Sequence, residues 1–347
     1  MKIIDLRSDT ITHPTPEMRR AMFDAEVGDD VYGEDPTINR LEAMAAEKMG
    51  KETALFTTSG TQSNLIAVLT HTRHGNEIIL GSDAHLLWYE VGGASALAGV
   101  VMHNIPNDKY GHFTTVDIKQ AIRGKSLHFP ETTLLCLENT HNRCGGAVLT
   151  VDYTNEICNL AHAHGIKVHL DGARIFNAAI ALEASVSALT ESVDTVSFCL
   201  SKGLSAPVGS LLCGSRDFIG RARKFRKMLG GGMRQAGVLA AAGIVALETM
   251  VDRLREDHDN AKKLAHGLEN IKGIVLEEDD VPTNIVMFAL STELSAYEFI
   301  EGLEKVGVKI GSRGDNQFRA VTHRMISNLD IDEVIVRIET VCNKLLG

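Results

Sequence analysis

No apolar stretch in this chain is long enough to cross a bilayer. The longest, residues 236–247, has 12 residues and is rich in Ala and Gly, against about 20 for a spanning helix, so it reads as a buried helix. The six cysteines (Cys136, Cys144, Cys158, Cys199, Cys213 and Cys342) are scattered, form no CxxC pair and show no His/Cys metal spacing. The N-terminus reaches Asp5 too early for a secretory leader. A reducing cytoplasm and free thiols are the expectation. Positive charge is in deficit: 35 Lys and Arg against 45 Asp and Glu leave a formal net charge of −10, which argues against nucleic acid or an anionic membrane as partner. The one basic run, Arg221 to Lys227, reads as the solvated face of a helix. Internal repeats and low-complexity tracts are missing. No GxxxxGK[ST] supports a P-loop ATPase, and no GxGxxG follows the first strand to support dinucleotide binding.

What remains is an ordinary globular composition, with 44% hydrophobic and 23% charged among 347 residues, enough for one large domain and a smaller one. From about residue 37, helical spacing (38–49, 62–72, 116–122, 155–164) alternates with short apolar strands (54–57, 77–80, 100–105, 133–137, 167–170, 195–200). Such alternation predicts right-handed βαβ units and a mostly parallel sheet covered on both faces. After the Ala-rich helix the texture changes. A charged amphipathic segment (251–268), an acidic loop (277–280), strands at 285–289, 308–311 and 318–321, and helices at 296–306 and 331–346 predict a small α+β domain. The expected division is an N-terminal arm (1–20), a large domain (21–250) and a C-terminal domain (251–347).

Ligands of an open parallel sheet sit beyond the carboxyl ends of its strands, so the polar residues that follow each strand are the candidates. Strand 54–57 runs into Thr58-Ser-Gly-Thr-Gln62 and a helix, a turn whose N–H groups and hydroxyls suit a phosphate, although such turns also serve as plain N-caps. Strand 167–170 ends in "HLDGAR", with Asp171 and Arg174. Strand 195–200 delivers Lys202 into a Gly/Ser-rich loop. Singly each has a bland explanation. Together they are the set that pyridoxal phosphate requires: donors for its phosphate, a carboxylate to keep its ring nitrogen protonated, and an amine for its aldehyde. Such a lysine must be partly desolvated or near another cation to offer a free amine.

Eight blocks carry a resemblance that covers nearly the whole chain: "DLRSDT" (5–10), "GDDVYGEDPT" (28–37), "SGTQSN" (59–64), "HLLWYE" (85–90), "ENTHNRCGG" (138–146), "HLDGARIFNA" (169–178), "FCLSKGLSAPVGS" (198–210) and "GGGMRQAG" (230–237). In these the sequence resembles L-threonine aldolases of the aspartate-aminotransferase-like, fold-type-I branch of pyridoxal phosphate enzymes. That resemblance implies an α/β large domain with a mostly parallel seven-stranded sheet and a small C-terminal α+β domain. It implies a Schiff base on Lys202, Asp171 on the pyridine nitrogen, and Ser59, Gly60 and Thr61 on the phosphate, with Arg234 reaching the phosphate from a neighbouring subunit. His85 would stack on the ring and face the substrate hydroxyl, with His128 a second histidine beside it. Arg174, Arg319 and Ser8 would bind the substrate carboxylate, although Arg313 lies close enough in sequence to compete with Arg319. The implied reaction is retro-aldol cleavage of L-threonine or L-allo-threonine to glycine and acetaldehyde, in a homotetramer built as a dimer of dimers. A forked guanidinium matches two carboxylate oxygens better than an ammonium does, and a histidine titrates near working pH.

Other residues take structural readings. Glu34 and Asp35 read as turn and cap acids, Trp88 as packing, and Cys199 as a core thiol; His141 and Asn142 end another strand, where a cofactor-side role stays open but unassigned. Two further functions stay open on the same residues: another amino-acid enzyme of this fold (a β-eliminating lyase, a transaminase or a racemase), and a catalytically silent scaffold, which should have lost Lys202 or Asp171.

Overall fold

Alternating side chains along each strand set the layering of this protein. The computed structural model describes residues 2–277, 280–314 and 316–347; positions 278 and 279 of the acidic loop lie outside them. After a short N-terminal strand, β1 (Ile4–Asp5), come β2 (Thr53–Thr57), β3 (Glu77–Gly81), β4 (Val101–Ile105), β5 (Thr132–Glu138), β6 (Lys167–Asp171), β7 (Thr195–Cys199) and β8 (Ser210–Gly214). Among the described residues β2 to β8 form one seven-stranded sheet in the order β2-β8-β7-β6-β5-β3-β4. Only β8 runs against its neighbours; the other pairings are parallel.

Phe56, Ile79, Leu135, Val168, Val196 and Leu211 face one core. Their sequence neighbours Leu55 and Leu212 face a second, and Ile78, Leu80 and Leu134 a third on that opposite side. A strand buried on both faces needs helices on both. Helices Pro36–Met49 and Gly237–Thr249 cover the first face, and Gly60–His71 and Arg216–Met228 the other. The first of these is capped as expected: Asp35 accepts the N–H groups of Thr37 and Ile38 at 3.1 and 3.0 Å. The basic run lies on Arg216–Met228, but it is not wholly solvated. Arg226 is buried, 2.7 Å from Asp30, and donates to the Phe56 carbonyl at 2.9 Å.

The C-terminal part adds β9 (Ile274–Leu276), β10 (Ile285–Leu290), β11 (Val308–Lys309), β12 (Gly311–Ser312) and β13 (Gln317–Val321). Four of them form an antiparallel sheet, β12-β13-β10-β9, backed by helices Leu254–Glu269, Ala296–Lys305 and Asn328–Leu346. The single strand expected over 308–311 is split because its halves take different partners. β11 pairs with β1, and β12 with β13. Ile4 and Leu6 of the N-terminal arm are buried in this second core, whereas Met18, on helix Pro16–Phe23, enters the first. The arm therefore stitches the two cores together, and its middle, residues 8–12, crosses between them. All six cysteines are free thiols. Among the described residues no helix is long and apolar enough to cross a membrane.

Candidate active site

The carboxyl ends of β2, β5, β6 and β7 meet the N-terminal arm and the edge of the C-terminal sheet. β6 ends in Asp171, which is buried. Its Oδ1 accepts the Ala173 N–H at 3.0 Å and its Oδ2 accepts Asn64 Nδ2 at 2.8 Å. Burial pushes this carboxyl up, but the charges of His85 and Lys202 and the Asn64 hydrogen bond outweigh it, so it stays below the usual carboxylate range.

β7 leads into a tight turn carrying Lys202. Thr12 of the arm donates to the Lys202 carbonyl at 2.9 Å, and the Ser205 N–H donates to it at 2.8 Å. Ser205 is held buried with φ at 63°, a left-handed conformation costing of order 1–3 kcal/mol for a residue with a side chain. β2 leads into the predicted hydroxyl-rich turn. Ser59 caps helix Gly60–His71 by accepting the Gln62 N–H at 3.2 Å, which leaves the Gly60 and Thr61 N–H groups without intrahelical partners. A Cβ on Gly60 would stand 2.9 Å from Cys199 Sγ, so the close backbone approach here depends on glycine.

His85 opens a short helix beyond β3, pinned through its backbone N–H to Glu138 Oε2 at 2.7 Å. Its Nδ1 lies 2.9 Å from Glu90 Oε1. Burial disfavours the charged ring, but the hydrogen bond to Glu90 and the charges of Asp171 and Glu138 dominate and raise its pKa. One nitrogen of His85 and one oxygen each of Glu90 and Asp171 fall within 4.8 Å of one another. Burial, with Asp171 nearby, pushes the Glu90 carboxyl up.

A cavity of about 300 Å³ opens over these groups, lined by Ser8, Thr10, His85, Tyr89, Asn142, Arg174, Lys202, Arg313 and Arg319. Two guanidinium groups converge on Asn142 Oδ1, Arg319 Nη1 at 2.7 Å and Arg174 Nη1 at 3.4 Å. The fork of Arg174 is itself held by Asp9, with Nε and Nη2 each at 2.7 Å from its carboxylate. Burial would raise the Asp9 carboxyl, but the Arg174 charge and hydrogen bonds hold it well below the usual range. Arg313 donates to the Arg143 carbonyl at 2.9 Å, so part of its fork is taken.

Of the residues expected from sequence, Ser8, His85, Arg174, Lys202 and Arg319 line one cavity, and Asp171 sits against His85. The Ser59–Thr61 turn is at the same sheet edge. Arg234 is away from its own chain's cavity, half exposed and 3.4 Å from Asp29. His128 is not brought to the site. It lies on the exposed loop before β5, its N–H donating to Ser126 Oγ at 3.2 Å. That loop enters β5 at the amino end of the parallel strands, opposite the edge where the cavity opens. Trp88 is half exposed rather than packed in the core; Arg143 stacks on it at 4.4 Å and its Nε1 donates to the Ser82 carbonyl. Asp9, Asn64, Glu90 and Glu138 were missed, and Asn142, left without an assigned role by its sequence, is the residue on which Arg319 and Arg174 converge. Glu138 ends β5, so the strand-end rule that found Asp171 covers it too. Its carboxylate accepts the N–H groups of both His85 and Asn142, the latter at 2.8 Å.

The donor set fits pyridoxal phosphate: free N–H groups and hydroxyls at a helix N-terminus for the phosphate, a buried carboxylate kept ionised, and a lysine amine in the cavity wall. Residues 5–291 match the family model described as beta-eliminating lyase. The chain is 46% identical over 336 residues to the low-specificity L-threonine aldolase 1 of Arabidopsis thaliana, covering 95% of this chain and 94% of that one. It is 44% identical over 332 residues to the low specificity L-threonine aldolase of Escherichia coli K12, covering 96% and 97%. Its fold matches the structure of Leishmania major threonine aldolase with a TM-score of 0.83 at 21% identity, over 99% of each chain. On these matches, spanning almost its full length, the chain belongs to the beta-eliminating lyase family, among its low-specificity L-threonine aldolases.

Proposed function

We propose that this protein is a pyridoxal phosphate-dependent carbon–carbon lyase that cleaves L-threonine and L-allo-threonine to glycine and acetaldehyde. The observation that carries this reading is one cavity in which Lys202 and His85 stand beside a buried, ionised Asp171 beneath Arg174 and Arg319. When bound, the cofactor supplies an electron sink that lets the bond between the α and β carbons of the substrate break.

The protein's own groups do the rest. Lys202 would hold the cofactor at its aldehyde, Asp171 would pair with the ring nitrogen, and Ser59, Gly60 and Thr61 would bind the phosphate, completed by Arg234 of the partner subunit. Arg319 and Arg174, with Ser8, take the substrate carboxylate. Arg174 is pre-oriented by Asp9, so little side-chain entropy is lost when substrate arrives. Anchoring that carboxylate turns the Cα–Cβ bond into the orientation in which it breaks. His85 gives its Nδ1 hydrogen to Glu90, which leaves Nε2 to take the proton of the substrate hydroxyl. His128 is left out of the reaction at its own chain's cavity, because its loop enters the sheet from the other edge.

A shared phosphate site requires at least a dimer, and we read the assembly as a homotetramer, a dimer of dimers, in the cytoplasm. Exposed Tyr32, Phe23 and Met228 supply apolar surface that a second copy would cover. The test is product analysis with threonine, serine and cysteine. Glycine and acetaldehyde in equal amounts from threonine are expected. Ammonia and a keto acid instead would make the protein an eliminating lyase, and an amino-acceptor requirement would make it a transaminase.

A further inference from the structure

Asn64 uses all four of its amide hydrogen-bonding positions inside the protein. Nδ2 donates to Glu90 Oε1 and to Asp171 Oδ2, both at 2.8 Å. Oδ1 lies 2.8 Å from Ser197 Oγ and 3.1 Å from His169 Nε2. This orientation of the amide is forced, since the flipped one would set a carbonyl oxygen against two carboxylates.

The rest follows by proton counting. Asn64 Oδ1 can only accept, so His169 carries its hydrogen on Nε2. His169 Nδ1 is then an acceptor for the Thr195 hydroxyl, 3.0 Å away. That hydroxyl has no second hydrogen, so its oxygen accepts from His71 Nε2 at 2.9 Å. Both rings are neutral, because burial pushes His169 down to about 4 and His71 down to about 3. One hydrogen from each of His71, Thr195, His169 and Asn64 thus points along the series toward Asp171, while the second amide hydrogen of Asn64 goes to Glu90. Aligned donors in a low-dielectric interior polarise one another, and a carboxylate at the end of such a series is favoured over its protonated form.

We propose that Asn64, His169, Thr195 and His71 are positioning residues, a one-way hydrogen-bond series that holds Asp171 as an oriented carboxylate for the nitrogen of the cofactor ring. The proposal rests on the reading of Asp171 as the ring's partner. A merely structural buried cluster would satisfy its own polar groups in either direction and leave cofactor affinity unmoved.

Ring-¹⁵N NMR of the full-length cofactor-free protein tests the direction, and pyridoxal phosphate titration tests the consequence. Both histidines should show the Nε2–H tautomer. Asn64→Leu should weaken cofactor binding about 10- to 100-fold, the range for losing a hydrogen bond to a charged group. Thr195→Val should weaken it about threefold, with Thr195→Ser restoring it. A hydrogen on His169 Nδ1 would overturn the proposal, as would unchanged affinity in Asn64→Leu while Asp171→Asn loses it. Should Asp171→Asn itself bind the cofactor normally, the ring-partner reading fails instead, and the tautomers alone decide the direction. If Asn64→Leu does not fold, the Thr195→Val and Thr195→Ser pair decides the matter.

Discussion

Replacing Asp9 by Asn keeps the shape of the side chain and removes the charge that holds Arg174. Both groups are buried, at 0% and 5% exposure, so water cannot take over. Two hydrogen bonds of 2.7 Å are lost or weakened, as is a longer one from Asn284 Nδ2 at 3.4 Å. Removing one partner of a buried ion pair costs about 3–5 kcal/mol, most of it from the stranded charge. With a urea m-value of about 3 kcal/mol/M, the midpoint should fall by roughly 1 M or more. The measurement compares cofactor-free wild type and variant at one protein concentration, because assembly shifts apparent stability. The double variant Asp9→Asn/Arg174→Met takes the charge away altogether and should recover at least half of the loss. Turnover of threonine should not recover with it, because the carboxylate then has one guanidinium instead of two. A single-variant loss below about 1 kcal/mol, or a double variant no more stable than the single, would show that the pair does not brace the site as described.

Arg319→Lys should raise KM for threonine far more than the dissociation constant for pyridoxal phosphate, since an ammonium cannot form the fork; equal changes in both would remove Arg319 from the substrate carboxylate. Acid should destabilise the protein between about pH 6.5 and 4. His169 titrates near 4 when folded and near 6.5 when unfolded, so the unfolded chain takes up the proton first and stability falls with pH, by about 3 kcal/mol at most from this residue. Urea midpoints across that window should fall less steeply in His169→Gln, and an unchanged slope would show that the ring titrates normally. His128→Ala should keep kcat/KM well clear of the ~100-fold or larger loss that follows removal of an acid–base group; such a loss would place His128 in a neighbouring copy's cavity.

Local features of the chain were legible without coordinates wherever one segment carried its own signal. Short apolar strands between amphipathic helices marked β2 to β7 to within about two residues. The strand β8, Ser210–Gly214, was passed over, since a serine and three apolar residues between glycines look like part of the loop after Lys202 until antiparallel neighbours claim them. Strand ends pointed to Asp171 and Lys202, and a hydroxyl-rich turn to Ser59, Gly60 and Thr61. The same rule would have reached Glu138 had β5 been carried one residue further.

Backbone propensity, apolar period and strand-end polarity are properties of neighbours in the chain, and they were enough to specify a covered parallel sheet and the edge where its ligand belongs. Partnership across distance was decided only on folding. Asp9 meets Arg174 across 165 positions, Asn64 meets Asp171 across 107, and β1 joins a strand from the far end of the molecule. No pattern in either segment announces its mate, because a buried charge or amide is satisfied by whichever group packing brings within 3 Å. Packing likewise put His128 on the wrong edge of the sheet, since the edge a loop occupies depends on which end of a strand it enters.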